Sequence, residues 1–340
     1  MSCYHPLKAF PVGTTPAGKP LYKIVGYKAD HLEFVNGSWI VVHNQMRGAQ
    51  ASRVVRDWIE IPCGKCVGCR LDYSRQWADR CMLELQDSDS AYFLTLTYDD
   101  QHLPRSVYAD PDTGEAMASY TLRKDEFQKF MKRLRYYFGD EIRFFACGEY
   151  GSRTFRPHYH AIVYNIHFDD LQFYKKSETG DFYYNSPKLD RAWKAGFAVI
   201  GEVTWQSCAY VARYCMKKAQ GVSSETYAKF NIEPEFTLMS RRPGIGRRYL
   251  DAHPDLYQFN KISIAMEKGG KDITIPKYFD RVISAEHPEL IDSLKARRKE
   301  NAEARMQQIL SQTDLDYLDY LQVCEDNKIA KIKSLRRNIE

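Results

Sequence analysis

The sequence lacks long apolar runs and a strong surplus of either charge. Its mean hydropathy is −0.53, and its longest apolar stretches, such as residues 197–201, are only as long as a strand. A membrane span needs about 20 apolar residues, so a transmembrane protein is excluded. The first residues lack the basic segment and apolar core of a secretory signal, and we expect a cytoplasmic protein. Lys and Arg number 49 against 44 Asp and Glu, a surplus too small to indicate nucleic-acid binding by itself.

Tyrosine is abundant, with 24 residues, and many tyrosines lie beside Lys or Arg. Residues 133–137 and 210–214 are examples. Basic side chains neutralise phosphates and aromatic rings stack on unpaired bases, so this mixture favours single-stranded nucleic acid as a partner. An aromatic core beside a solvated basic face would give the same pattern.

Three of the nine cysteines are concentrated in residues 63–69, which read Cys-Gly-Lys-Cys-Val-Gly-Cys. Disulfides within so short a segment would be awkward, whereas two-residue spacers let Cys63, Cys66 and Cys69 face one tetrahedral ion. A structural Zn²⁺ site is the leading interpretation, with an iron–sulfur cluster and metal-free cysteines as alternatives. The fourth ligand would be one of three residues: Cys3, Cys81 or His5.

Hydrophobic patterns predict the order of elements along the chain. Residues 1–60 contain strand-like pieces but little helical periodicity, which indicates an irregular extension. A basic amphipathic helix should span residues 69–86 and a strand residues 92–98, followed by a loop or small hairpin. The later elements are a helix capped by Thr121, two strands in a hairpin, a short helix, a strand and a last helix, predicted at residues 122–138, 142–147, 158–164, 189–194, 197–205 and 207–218.

This order is the split β-α-β pattern of an α+β fold. It predicts one antiparallel sheet flanked by helices, which we expect on one face. Residues 1–90 would form a Cys-rich N-terminal extension with the basic helix, residues 91–250 the core, and residues 251–340 a mostly helical C-terminal extension. Beyond Pro288 we expect one or two helices that pack on the core or recruit a host partner.

Two histidines in the second hairpin strand indicate a metal site. His158 and His160 point to the same face because strand side chains alternate, and Glu149 lies nine residues earlier across the predicted hairpin. Two nitrogens and one oxygen leave coordination positions for phosphate or water, which suits Mg²⁺ or Mn²⁺. A structural role for the histidines is the alternative.

The last predicted helix carries Tyr210, Tyr214 and Lys218 at spacings of four residues, which places them along one stripe. A tyrosine phenolate can form a covalent phosphodiester intermediate if a metal polarises the phosphorus and a cation offsets the developing charge. A packing stripe is the alternative, although packing would favour Leu or Val over two phenols and an ammonium group.

Several basic residues are candidates for binding the DNA backbone. Four arginines surround a flexible Pro-Gly turn in residues 241–248, which suggests a clamp on phosphates, with a solvated loop as the alternative. Others lie beside the predicted hairpin or in the last helix. The candidates are Arg153, Arg156, Arg213, Lys217, Arg241, Arg242, Arg247 and Arg248.

These motifs together resemble a known family. Residues 156–162, Arg-Pro-His-Tyr-His-Ala-Ile, resemble the His-hydrophobic-His signature of HUH endonucleases, and residues 210–218 resemble their two-tyrosine nucleophile motif. The strand at 93–98 resembles the first motif of the HUH core. More closely, residues 3–6, 62–70 and 148–151 resemble the replication initiators of gokushovirus-type microviruses. The core resemblance covers about residues 60–250.

The resemblance implies a rolling-circle replication initiator with an HUH endonuclease core. Such a protein nicks one strand at the viral origin, becomes linked to the 5′ phosphate and frees a 3′ hydroxyl for a host polymerase. Two alternating tyrosines would later rejoin a unit-length circle. The implied cofactor is Mg²⁺ or Mn²⁺, with structural Zn²⁺ as a second candidate. The implied partners are single-stranded or supercoiled origin DNA, a host helicase and a host polymerase, in the cytoplasm of the bacterial host.

Two other functions are compatible with the sequence. A transposase or relaxase would share the fold, but it is disfavoured by the paired tyrosines and the Cys-rich segment. A zinc-stabilised module that binds single-stranded nucleic acid without catalysis would use the histidines and tyrosines for packing or stacking.

Overall fold

The computed structural model describes residues 3–43, 51–151, 153–178, 180–214, 224–256, 259, 261–266 and 269–334. Two compact units are present. The terminal unit comprises Met1–Asp72 and Ala296–Glu340, and the central unit comprises Tyr73–Lys295. No helix within the described ranges is long and apolar enough to cross a membrane.

Six strands come before the first helix, in the terminal unit. They are β1 (Leu7–Thr14), β2 (Pro20–Gly26), β3 (His31–Val35), β4 (Ser38–Val42), β5 (Arg53–Val55) and β6 (Ile59–Ile61). Helix α1 (Val67–Gln86) begins in this unit and continues into the central unit.

The remaining elements follow α1. The strands are β7 (Ala91–Tyr98), β8 (Arg105–Ala109), β9 (Ala116–Tyr120), β10 (Arg143–Tyr150), β11 (Pro157–Tyr164), β12 (Gln172–Lys176), β13 (Phe182–Asn185), β14 (Gly196–Gly201), β15 (Phe236–Met239), β16 (Lys261–Met266) and β17 (Gly269–Thr274). The helices are α2 (Lys124–Phe138), α3 (Pro187–Trp193), α4 (Trp205–Tyr214), α5 (Ser224–Lys229), α6 (Arg247–Ala252), α7 (Lys277–Glu286), α8 (Pro288–Leu310) and α9 (Tyr317–Ser334).

The terminal unit contains two small antiparallel sheets, in the orders β2-β1-β6 and β4-β3-β5. The expectation of an irregular extension over residues 1–60 is therefore wrong. These strands lack the alternation of buried and exposed residues that identifies a strand, because β2 is exposed along almost its whole length and β5 and β6 are three residues long. Their buried cluster is small: Phe10, Ala29, Leu32 and Val55.

The central unit is built on a seven-stranded sheet in the order β12-β13-β14-β7-β11-β10-β15, and all of its pairings are antiparallel. The predicted α+β class and the split β-α-β order are confirmed. The predicted hairpin insertion is also present, as β8 and β9. The C-terminal helices α8 and α9 are confirmed, whereas the β16–β17 hairpin and α7 were not predicted.

Helices cover both faces of this sheet, which corrects the expectation of helices on one face. Leu94 and Tyr159 pack in one buried cluster with residues of α2 and α3. Their strand neighbours on the opposite face pack in a second cluster with residues of α1, α4 and α7, and include Phe145, Ile162 and Tyr164. Strands β10 and β11 are buried at nearly every position, which is the pattern of strands covered on both sides.

Helix α2 starts later than the sequence suggested. Arg123, not Thr121, is its N-cap residue, and it has an extended backbone without a side-chain capping bond. The Thr121 hydroxyl instead accepts a hydrogen bond from the backbone N–H of Glu233 at 2.9 Å. The predicted end is confirmed, because Gly139 follows Phe138 with a φ of 104°, a conformation that favours glycine.

Candidate functional site

The predicted Glu/His/His group comes together on one face of the sheet. Glu149 in β10 is directly opposite His158 in β11, and His160 lies two residues further along. The Oε1 atom of Glu149 is 2.8 Å from Nε2 of His158 and 3.1 Å from Nε2 of His160. One ligand atom from each residue lies within 4.8 Å of the other two. These residues could therefore hold one metal ion.

Hydrogen bonds from the far side of each imidazole fix the ring orientations. Nδ1 of His158 lies 3.1 Å from the carbonyl oxygen of Arg156, and Nδ1 of His160 lies 3.0 Å from the hydroxyl of Thr95. Phe93 also stacks on His160, with ring centroids 5.4 Å apart. Such contacts orient histidines that bind metals, and they leave both Nε2 atoms facing Glu149.

Thr95 is a site residue that the sequence reasoning missed. It lies on β7, directly opposite His160 in the strand pairing. The available signal was the alternation of Phe93, Thr95 and Thr97 along a predicted strand, since a polar residue on the covered face requires a partner. The pairing register that supplies the partner joins residues 65 positions apart.

The electrostatics of the group favour a charged carboxylate. Glu149 is buried, which by itself would raise its pKa, but the hydrogen bonds and charges of His158 and His160 lower that pKa to about 2. The side chain of His158 is 19% exposed, against 2% for Glu149. The group therefore combines an ionised oxygen ligand with two imidazoles and is accessible at its His158 side. This donor set fits Mg²⁺ or Mn²⁺, with the remaining positions left to phosphate or water.

Tyr210 is the predicted nucleophile that lies at this group. Its phenol donates a hydrogen bond to Oε1 of Glu149 at 3.5 Å, and its ring centroid is 5.0 Å from that of His160. Tyr214 lies one helical turn further along α4, and only its backbone is described. The side chain of Arg213 and all of Lys217 and Lys218 lie outside the described residues.

Local sequence fixes the start of α4 and its orientation. Thr204 and Ser207 form a reciprocal capping box, in which each backbone N–H donates to the other side chain, at 2.8 and 3.1 Å. Two bonds then join α4 to α1: the indole of Trp205 donates to Asp79, and the hydroxyl of Ser74 donates to the carbonyl of Ala209. This arrangement directs Tyr210 toward β10 and β11.

The predicted cysteine site also assembles, in the terminal unit. The thiols of Cys3, Cys63, Cys66 and Cys69 lie within 4.8 Å of one another, and those of Cys63 and Cys69 are 4.0 Å apart. Four sulfurs around a tetrahedral ion at about 2.3 Å are separated by about 3.8 Å. The set therefore could hold a metal after a small contraction.

The structure selects Cys3 among the three candidates for the fourth ligand. Cys81 is buried in the core of the central unit, in the cluster that contains Cys208. His5 points to a carboxylate, with Nε2 at 2.5 Å from Oε2 of Glu325. Sequence spacing could not decide this, because Cys3 is 60 residues from Cys63.

Backbone N–H groups surround these sulfurs. The N–H groups of Lys65 and Cys66 donate to the sulfur of Cys63, and those of Tyr4 and Cys69 donate to the sulfur of Cys66. Burial raises the pKa of the Cys66 thiol, but these bonds outweigh burial and lower it to about 7. The peptide dipoles thus favour the thiolate form that binds metals.

The candidate arginines fall into two separate groups. Arg153 and Arg156 lie in the β10–β11 turn, beside the Glu/His/His group, and Arg156 donates to the carboxylate of Asp100 at 2.6 Å. Arg241, Arg242 and Arg248 instead line an open groove of about 410 Å³ with Arg135 and Arg143. This groove is at the start of β10, about 20 Å from Glu149 for a strand that rises about 3.3 Å per residue.

The turn that carries these arginines is held in place rather than flexible. Buried Arg80 and Arg143 donate to the carbonyl groups of Ile245 and Gly244, and the carboxylate of Glu84 accepts from the N–H of Gly246. Gly244 is required for packing, because a Cβ there would lie 2.5 Å from the hydroxyl of Tyr278.

Arg247 points elsewhere. Its guanidinium donates to Asp251 and to Glu286, at 2.6 and 2.9 Å. The structure therefore brings Arg241, Arg242 and Arg248 together, but it places Arg247 in an ion-pair network outside the groove lining.

An antiparallel sheet with a Glu/His/His group and a neighbouring helical tyrosine defines a candidate DNA-processing site, and comparisons with known proteins support this class. Residues 91–219 match the family model for the replication-associated protein ORF2. The replication-associated protein ORF2 of Spiroplasma virus 4 is 35% identical over 77% of this chain and 80% of its own length. Replication-associated protein VP4 of Bdellovibrio phage phiMH2K is 29% identical over 76% and 79%.

A third relative, replication-associated protein ORF4 of Chlamydia phage 1, is 33% identical over 46% of this chain and 38% of its own length. No solved structure shows a significant match. The chain belongs to the ORF2 family of replication-associated proteins. The resemblance to the initiators of microviruses is thus confirmed at the level of the family.

Proposed function

We propose that the protein initiates rolling-circle replication of a phage genome by nicking one DNA strand at the origin. The observation that carries this proposal is the position of Tyr210, whose phenol lies 3.5 Å from Glu149 within a Glu/His/His group. A nucleophilic oxygen beside a set of metal ligands is the arrangement that phosphodiester cleavage through a covalent intermediate requires.

The reaction exchanges one phosphodiester for another. The phenolic oxygen of Tyr210 attacks the phosphorus, the bond between phosphorus and the 3′ oxygen breaks, and the 3′ oxygen leaves as a hydroxyl after taking up a proton. The strand is then linked to the protein through a 5′-phosphotyrosine, and a host polymerase extends the free 3′ hydroxyl. Because an ester bond is retained at each step, the reverse transfer can close a circle without an external energy source.

Glu149, His158 and His160 would hold Mg²⁺ or Mn²⁺, which as a Lewis acid stabilises negative charge on the phosphate. Thr95 and the carbonyl of Arg156 keep the two imidazoles oriented toward that position. Arg153 and Arg156 lie where they could contact phosphates that flank the cleaved bond. The four cysteines would hold Zn²⁺ as a structural ion in the terminal unit.

Tyr214 is the second nucleophile in this proposal, since it follows Tyr210 by one helical turn on α4. One tyrosine holds the 5′ end while the other attacks the regenerated origin, and the second transfer releases a unit-length circle. Lys218 would offset charge on the leaving oxygen. The reaction takes place on single-stranded or supercoiled origin DNA in the cytoplasm of the bacterial host, with a host helicase and polymerase.

Covalent capture of DNA tests this function. Single-stranded oligonucleotides that tile the cognate genome, labelled at the 3′ end, are incubated with the protein and Mg²⁺ or Mn²⁺. We expect one oligonucleotide to give an adduct that resists denaturing gel electrophoresis, and its 5′-labelled copy to give a shortened product that a polymerase can extend. An absence of adducts across the whole set would contradict the proposal, as would adducts that form equally well in Glu149→Ala.

A further inference from the structure

An exposed aromatic hairpin forms one edge of the seven-stranded sheet. Strands β12 and β13 pair with each other, and β13 pairs with β14. All five residues of β12 are exposed, including Phe173 and Tyr174 at 63% and 45%. Phe197 on the neighbouring β14 is also exposed, at 42%. Exposed rings grouped in this way need a physical reason, because burial elsewhere would stabilise them.

The strand register places Phe197 in the same row as the candidate metal ligands. Glu149 is opposite His158, His158 is opposite Thr97, and Thr97 is opposite Phe197. Residues directly opposite each other point to the same face, so Phe197 is on the face that carries the Glu/His/His group. Phe197 and His158 are two strand spacings apart, about 10 Å, and only the short side chain of Thr97 lies between them in this row.

Two tyrosines extend this face to the sheet edge. The ring of Tyr174 lies 5.3 Å from that of Phe197, and the ring of Tyr183 packs over Gly201, where a Cβ would lie 3.3 Å from it. Lys175 places its ammonium 5.5 Å from the ring of Tyr174 and 5.8 Å from that of Tyr183. The residues Tyr174, Tyr183 and Phe197, with Lys175, are here called the aromatic platform.

We infer that the aromatic platform binds single-stranded DNA next to the cleaved phosphodiester, by stacking unpaired bases on its rings. This inference rests on the proposed function, which places the reacting phosphate at the Glu/His/His group. Rings separated by roughly the spacing of the strands can accept successive bases, and the ammonium of Lys175 can neutralise a backbone phosphate. Unpaired DNA fits better than a duplex, whose bases present no free faces.

The hairpin supplies its own control. Phe173 and Phe182 are as exposed as the platform residues, at 63% and 45%, and their rings pair with each other at 6.4 Å. Phe173 is opposite Tyr184, which packs against the cluster on the other side of the sheet. These two rings therefore share composition, exposure and strands with the platform but lie on the face away from the Glu/His/His group.

Binding is measured by fluorescence anisotropy with a labelled thymidine strand of about 20 nucleotides and a duplex of the same length, without added Mg²⁺ or Mn²⁺. The platform variant is Tyr174→Ala with Phe197→Ala, and the control variant is Phe173→Ala with Phe182→Ala. We expect the platform variant to bind the single strand about tenfold more weakly or worse, and the control variant to stay within about twofold of the parent. Affinity for the duplex should change little in either variant.

Equal losses in both variants, or no loss in the platform variant, would overturn the inference; the second result would indicate that the rings contact another protein. Photocross-linking of the unaltered protein to a 4-thiothymidine strand tests the same point without a substitution. Cross-links at Tyr174, Tyr183 or Phe197 support the platform, and cross-links confined to Phe173 and Phe182 contradict it.

These measurements do not depend on cleavage, so the two proposals can fail separately. If no oligonucleotide forms a covalent adduct but the platform variant loses single-strand affinity, nicking is wrong and the platform stands. If adducts form and the platform variant binds and cleaves like the parent, the platform is wrong and nicking stands.

Discussion

The two candidate metal sites of this protein differ in what surrounds them. The four cysteines belong to a unit whose buried apolar cluster has only four residues, Phe10, Ala29, Leu32 and Val55. The Glu/His/His group lies on a sheet covered on both faces by large buried clusters. Small units often need a metal to fold, whereas a large core can hold ligands in position without one. We therefore expect the ion of the terminal unit to support structure and the ion of the central unit to support chemistry.

The ligand sets differ in the same sense. Four thiols satisfy a tetrahedral ion completely, which is typical of structural sites. Two imidazoles and a carboxylate leave coordination positions open, and His158 is partly exposed where a substrate could enter. A group that must admit a phosphate cannot be closed by its own ligands.

The largest expected effect is on cleavage when the Glu/His/His group is altered. Glu149→Ala, His158→Ala and His160→Ala should each reduce the nicking rate by about 10³-fold or more, because phosphate charge is no longer stabilised. Binding of single-stranded DNA should remain, since basic and aromatic residues supply it. Nicking of origin oligonucleotides in Mn²⁺ measures the first effect and anisotropy the second. Parental nicking rates in all three variants would refute the assignment.

The opposite outcome is expected for the cysteine site, where the main effect is on stability. Purified protein should contain about one Zn²⁺ per chain, and Cys63→Ser with Cys66→Ser should remove it and unfold the terminal unit. Elemental analysis and calorimetry check this, with Cys324→Ser as a control because that thiol lies outside the four-cysteine set. Metal-free parental protein whose melting is insensitive to chelators would remove the distinction between the two sites.

A smaller effect is expected at Thr95, which orients His160. Thr95→Val keeps the shape of the side chain but removes the hydrogen bond to Nδ1, so metal affinity should fall about 10- to 100-fold. Thr95→Ser restores a hydroxyl and should recover most of that affinity. Titration of Mn²⁺ by isothermal calorimetry measures this directly. If valine and serine behave alike, the hydrogen bond has no role in positioning the ligand.

The smallest effect is expected in the arginine groove, about 20 Å from the Glu/His/His group. If Arg241 and Arg242 each neutralise one phosphate, replacing both by Ala should lower the slope of log affinity against log salt by about 2 for duplex DNA. The charge-matched control is Lys295→Ala with Lys299→Ala on α8. Identical slopes for the two double variants would show that the groove does not bind the DNA backbone.

Local patterns predicted the parts of the site that lie within single elements. Strand alternation placed His158 and His160 on one face, and the helical stretch around Tyr210 was recognised as a helix. Glu149 was found because a short hairpin brings it opposite His158.

Features that depend on distant parts of the chain were not predictable in the same way. Cys3 reaches Cys63 through the folding of the whole N-terminal segment, and Thr95 meets His160 through the sheet register. The second covered face of the sheet arises from α1, which precedes the first sheet strand and was not assigned to a layer. The arginine-rich turn is positioned by Arg80, which is 165 residues from its partner Ile245.

The central claim is that Tyr210 and Tyr214 are the residues that become linked to DNA. Mass spectrometry of the DNA-linked peptide should locate the 5′-phosphate on Tyr210 or Tyr214 in the parent, on the remaining tyrosine in Tyr210→Phe or Tyr214→Phe, and nowhere in the double variant. Each single variant should still form an adduct but should fail to close a circle, because the second transfer has no nucleophile. An adduct on any other residue, or one that persists when both tyrosines are replaced, would contradict the account.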